Sequence, residues 1–128
     1  MEKFRLNEIG KEILDAAISV HRELGAGLLE SAYQLALFRE LELRGLNVRA
    51  KVPVELVYKG VSLGKAYEID ILVENEIIIE NKSVEALIPL HTFQVITYLK
   101  LYNRKLGYLI NFNVPLLIDG FKRIVNDF

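Results

Sequence analysis

Tyr67–Lys82 reads YEIDILVENEIIIENK. Period-2 alternation and β-branched residues predict two strands, Tyr67–Val73 and Ile77–Lys82. If Val73 faces Ile77 across a three-residue loop, Glu74-Asn75-Glu76, directly opposed residues point the same way. One face then carries Ile69, Ile71, Val73, Ile77, Ile79 and Asn81, a core face. The other carries Glu68, Asp70, Leu72, Ile78, Glu80 and Lys82, apolar near the turn and charged at its far end. A two-residue loop would send Asp70 and Glu80 to opposite faces, so this register decides whether the two carboxylates meet. Paired carboxylates repel unless a cation holds them, and a divalent metal is the usual reason to build such a pair. The competing expectation is a surface ion-pair ladder from Glu68 to Lys82.

Two helices precede this hairpin. Residues 7–24 are expected to form an amphipathic helix capped by Asn7, with Ile9, Ile13, Ala16, Val20 and Leu24 as its apolar stripe. His21 lies beside the stripe and reads as a packed or capping histidine. Gly25-Ala26-Gly27 stops the helix, and a second runs from about Leu29 to Leu43. Glu30 sits in its first turn, where the helix dipole favours a carboxylate in any case, and it shares a face with Tyr33. Residues 47–58 read as a strand, near an edge or bulged because Pro53 lacks a ladder donor. The next strand starts at Val61 and, loosened at Gly64, runs into the opening stretch.

After Lys82 a link over 83–88 leads to a helix over about 89–102, with Pro89 at its first position. His91, Gln94 and Tyr98 form a polar stripe along it. Residues 106–111 suit a buried strand, and 116–125 a last extended segment turning at Asp119-Gly120. A helix between two strands of one sheet implies a crossover, hence a mixed sheet covered by helices.

The chain has 128 residues, 52% hydrophobic and 26% charged, with a formal net charge of −1. One domain spanning 1–128 is expected. It has no cysteine, which excludes disulfides and cysteine-based zinc sites. Its two histidines are too few for a histidine-rich metal site. Any metal would therefore sit on oxygen, favouring magnesium, manganese or calcium. No apolar run reaches the roughly 18 residues of a membrane span, and the N-terminus is no signal peptide, so a cytoplasmic address is expected. The net charge excludes a globally basic nucleic-acid binder. Lys100, Arg104, Lys105, Lys122 and Arg123 read as a local basic patch or as solvated surface.

Gly27, Glu30 and Tyr33 spell the GxxExxY signature of a family of small bacterial and archaeal proteins. HRELGAGLLESAY, YEIDILV, IIIENK, QVITYLK and GYLINF resemble that family in order, over roughly residues 8–125. The family is placed in the PD-(D/E)XK nuclease superfamily. The resemblance implies an α/β fold with a PD-(D/E)XK nuclease-like αβββαβ core, a mixed sheet flanked by helices, and an extra helix at the N-terminus. It implies Asp70, Glu80, Lys82 and Glu30 as catalytic residues. Gln94, Tyr98 and Tyr33 would position substrate or water. Asp70, Glu80 and the Asn81 carbonyl would hold Mg2+ or Mn2+. The implied function is metal-dependent hydrolysis of phosphodiester bonds in DNA or RNA, with no membrane partner and with a homodimer or larger assembly supplying further substrate contacts. The alternative is a non-catalytic nucleic-acid-binding or protein-interaction module that keeps the fold. One departure stands out. The middle of the ExK motif is usually apolar, whereas here it is Asn81, and a buried amide without partners costs about 1–3 kcal/mol.

Overall fold

In the computed structural model, which describes residues 1–128, Ile71 pairs with Ile79, Leu72 with Ile78 and Val73 with Ile77. The connection is therefore the three-residue loop Glu74-Asn75-Glu76. Glu74 and Asn75 both adopt left-handed backbone angles there.

The elements run α1 (Lys3–Leu24), α2 (Glu30–Leu43), β1 (Val48–Tyr58), β2 (Val61–Val73), β3 (Ile77–Lys82), α3 (Pro89–Leu101), β4 (Leu106–Asn111), a short 3-10 helix (Leu117–Gly120) and β5 (Phe121–Val125). The five strands lie in one open sheet in the order β1-β2-β3-β4-β5. β3 and β4 are parallel and the other neighbours antiparallel, so the sheet is mixed. α3 makes the crossover that a parallel pair requires. Pro53 lies on the edge strand β1, where its missing N–H costs no inter-strand bond on the open side.

The sheet separates two cores. α1 and α2 cover one face through Ile9, Ile13, Tyr33 and Leu37, against Ile71, Ile77, Ile79 and Ile110. α3 covers the other through Val95, Tyr98 and Leu99, against Leu72, Ile78 and Leu109. Burial on both faces accounts for the nearly unbroken apolar runs of β3 and β4.

Four expectations need correction. α1 begins at Lys3, not Asn7, because buried Leu6 extends its apolar stripe by a turn; Asn7 Oδ1 instead accepts a bond from Arg123. Leu24 ends the helix in solvent rather than in the core. The turn expected at Asp119-Gly120 is present but takes up Leu117–Gly120 as a 3-10 helix, so the last strand begins only at Phe121. Ile69 does not share a core with Ile71, Ile77 and Ile79. It packs with Val52, Val54 and Leu72 on the α3 side. The alternation breaks at Asp70, and the partner strand breaks beside it: the β1–β2 ladder skips Lys51 and Asp70, and Lys51 has φ 53°.

Where α1 crosses β4, Gly10 is required by contact rather than by φ. A Cβ there would fall 1.9 Å from Tyr108 Oη and 2.9 Å from its Cζ. Tyr108 is buried and stacked on Phe121, with centroids 4.9 Å apart, so it has little room to yield. Gly10→Ala is expected to lower stability by about 1–3 kcal/mol in urea denaturation. Adding Tyr108→Phe should recover part of the loss; no recovery would place the strain elsewhere.

Candidate active site

β2 and β3 pair only as far as Ile71 and Ile79, and then the strands part. Asp70 and Glu80 stand at this fork. Side chains replace the ladder there. The Asn81 N–H donates to Asp70 Oδ2 at 2.8 Å, and the Asp70 N–H reaches Glu80 Oε1 at 3.4 Å. The Asp70 carbonyl accepts from Gln34 Nε2 of α2 at 2.6 Å. Gln34 Oε1 in turn accepts from Asn81 Nδ2 at 2.6 Å. Asn81 thus finds a partner on a covering helix, although its Oδ1 has no donor.

The electrostatics are those of two acids forced together. Glu80 is 6% exposed. Burial, then the Asp70 charge and a hydrogen bond shared with Asp70, push its carboxyl up to about 9, against partial relief from Lys82. Burial also raises Asp70; the Asn81 N–H, Glu80 and Lys82 counter part of that rise. Without a cation the pair therefore retains a proton at neutral pH. Burial and the same two carboxyls push the Tyr98 phenol up to about 12. Its ring tilts against Tyr67 with centroids 5.4 Å apart.

A cleft of about 270 Å³ opens beside the fork, lined by Glu30, Ser31, Gln34, Lys51, Glu68 and Asp70. Burial raises Glu30; Lys82 lowers it and Asp70 raises it further. A larger groove of about 480 Å³, between His21, Arg22 and residues 114–118, contains no carboxylate.

Asp70, Glu80 and Asn81 thus meet. Lys82 is near enough to bias all three carboxyls yet makes no salt bridge, and Glu68 pairs with Lys65, so the expected Glu68–Lys82 ladder does not form. Glu30 lines the cleft, but no three acidic or histidine side chains converge to hold a metal. Gln94 Oε1 is buried without a donor. His91 is spent on its own helix, accepting the Ile88 N–H through Nδ1. Arg104, Lys122 and Arg123 are engaged with Asn75, Thr92 and Asn7 respectively.

Tyr33 departs from a substrate-facing role. It is fully buried and stacked on Phe112 at 4.5 Å, and its hydroxyl donates to the Gly25 carbonyl and accepts the Leu28 N–H. Four cleft residues went unread in the sequence, Ser31, Gln34, Leu35 and Lys51. Gln34 could have been found, since it lies four residues after Glu30 on the same helical face. Lys51 could not, because a backbone reversal inside a strand leaves no periodic signal.

The residues present suit a divalent cation. Two carboxyls in contact and both raised chiefly by burial, Glu80 also by the Asp70 charge, make a site rich in oxygen acceptors. The Asn81 carbonyl joins them, because in an extended strand a residue's C=O points to the same side as its N–H, here toward Asp70. All are oxygen donors. With no third acidic side chain in place, the shell would be completed by water, which suits magnesium.

A profile of the PD-(D/E)XK nuclease superfamily matches residues 7–124. No curated protein matches the chain in sequence. Among solved structures, that described as "Crystal structure of SSO0001" is similar with a TM-score of 0.54 and 22% identity, over 97% of this chain and 63% of that one. At that identity the likeness speaks for the fold alone, and the chain spans less than two thirds of that structure's length.

Proposed function

Because the chain belongs to the PD-(D/E)XK nuclease superfamily, whose nucleases generally use divalent metals, we propose that it is a metal-dependent nuclease-like protein that hydrolyses phosphodiester bonds in DNA. Within the superfamily we assign it to the GxxExxY group, on Gly27, Glu30 and Tyr33. The observation that carries the reading is the fork: buried Glu80 and half-buried Asp70 stand side by side, with both carboxyls raised.

Asp70, Glu80 and the Asn81 carbonyl would hold Mg2+ or Mn2+, which when bound supplies a Lewis acid that activates water and polarises the phosphate. The chain's own groups do the rest. The Lys82 ammonium stands beside the pair, where it orients the attacking water and offsets charge gathering on the phosphate. Glu30 contributes from the α2 side of the cleft. The Tyr98 hydroxyl stays protonated far above neutral pH and serves as a hydrogen-bond donor, not a base. The Gln94 amide, its oxygen without a donor, positions substrate or water.

The test is cleavage of plasmid and single-stranded DNA with Mg2+ or Mn2+. Asp70→Ala, Glu80→Ala and Lys82→Ala should each lower the rate by about 100-fold or more, the scale on which a charged catalytic group is missed. Equal residual cleavage in all four proteins would sink the reading. A second reading, a non-catalytic nucleic-acid-binding or protein-interaction module, draws support from the missing third acidic ligand and the formal charge of −1. Calorimetry separates the two: no binding of Mg2+ or Mn2+ at millimolar concentration favours the module.

A further inference from the structure

Asn81 occupies the one place on its strand face where the pattern calls for an apolar residue. Ile77 and Ile79 precede it on that face, and all three are fully buried. For stability alone a leucine there would serve better, since a buried amide must be matched group by group. Asn81 is not fully matched. The orientation of the network follows from its fixed end. The Asp70 carbonyl can only accept, so Gln34 must turn its Nε2 toward it. Gln34 Oε1 then faces Asn81, which must present Nδ2. Asn81 Oδ1 is what remains, buried and without a donor. The network connects three things: the helix that bears Glu30, the main chain of Asp70, and the strand that bears Glu80 and Lys82.

We propose that the Gln34–Asn81 amide pair is a positioning device that holds the β2–β3 fork open at a set width and thereby aims the Asp70 carboxylate. Gln34 occupies the Asp70 carbonyl one residue beyond the last β2–β3 pair, Ile71 with Ile79, so that carbonyl is taken and does not extend the ladder to β3. Held there, the Asp70 carboxylate takes the Asn81 N–H. Because Gln34 lies one helical turn after Glu30, the same contact fixes the distance between Glu30 and the pair. The pair touches no substrate; it acts through Asp70.

The competing account is a core amide pair that merely satisfies its own burial. Three variants separate the two: Gln34→Leu, Asn81→Leu, and both together. Each single change leaves an unmatched buried group and lowers the urea midpoint under either account. The double variant removes both amides and leaves only the Asp70 carbonyl without its donor, so its urea midpoint should rise above that of Gln34→Leu. If the pair positions Asp70, the backbone amide at position 81 exchanges with solvent markedly faster in all three metal-free variants, while the Ile79 amide keeps its protection. The affinity for Mn2+ by calorimetry falls by about tenfold or more in all three, the usual scale for residues that orient a ligand. Recovery of exchange protection and Mn2+ affinity along with stability in the double variant overturns the proposal, as do single variants that leave both unchanged. The Mn2+ arm rests on the metal-site reading above, whereas the exchange arm does not. Wild-type protein that binds no Mn2+ would end that reading and leave the proposal to be decided by exchange alone.

Discussion

Replacing Glu80 with Gln should raise the thermal midpoint of the metal-free protein at pH 8 and abolish its response to Mg2+ or Mn2+. The reason is the raised carboxyl. In the folded protein Glu80 keeps its proton up to about 9, against an ordinary value of 4.5. Between those values the folded state holds a proton that the unfolded chain has released. Stability therefore falls as pH rises through that window, with a slope of at most about 1.4 kcal/mol per pH unit for one proton. Below the window the contribution is complete, and above it the loss is complete. Gln has no proton to lose, so the slope largely disappears, and the gain at pH 8 is on the order of 2–3 kcal/mol. A divalent cation bound at the pair would relieve the same repulsion in the wild type by displacing the proton, so its binding should tighten with rising pH. Thermal midpoints from pH 5 to 9, with and without Mg2+, check both halves. A Glu80→Gln protein less stable than wild type at pH 8 and still responsive to Mg2+ would contradict the account.

Tyr33→Ala should cost about 3–5 kcal/mol, as deletion of a large buried ring does. Tyr33→Phe should cost about 1–3 kcal/mol, because the Gly25 carbonyl and the Leu28 N–H lose the hydroxyl they share. Neither change should alter the Mn2+ affinity of the protein that remains folded, measured by calorimetry beside urea denaturation. Weakened Mn2+ binding in a stable Tyr33→Phe protein would return Tyr33 to the site. The Gly-x-x-Glu-x-x-Tyr spacing then has a structural meaning. Gly27, with φ 97°, makes the turn after α1. Tyr33 staples that turn to the start of α2 and stacks on Phe112 at the end of the sheet. Ser83, just past the third strand, binds the turn from the other side by donating to the Leu28 carbonyl at 2.6 Å. Glu30 stays free between the two anchored ends of the signature and lines the cleft.

Much of this was legible in the chain because it is written in local pattern. Alternation in Tyr67–Lys82 marked two strands, and the odd loop Glu74-Asn75-Glu76 brought Asp70 and Glu80 opposite each other. Glycines closed α1, proline opened α3, and the helix between β3 and β4 implied a mixed sheet. Each of these follows from a side chain's effect on its own few residues of backbone, and such effects survive without knowledge of the fold.

What only the tertiary structure decided lies within and around the same stretch. Alternation assigned Ile69 to the core of Ile71 and Ile79, yet the backbone reversal at Lys51 and the break at Asp70 send it to the opposite core. The Asp70 carbonyl is taken by Gln34, distant in sequence and on another layer. Glu80 is an acid with a raised carboxyl only because the sheet buries it against Asp70. The sequence by itself determined which residues could form strands, helices and a pair of acids. Desolvation and long-range hydrogen bonds, which exist only once the layers pack, decided which of those residues meet, and in what protonation state.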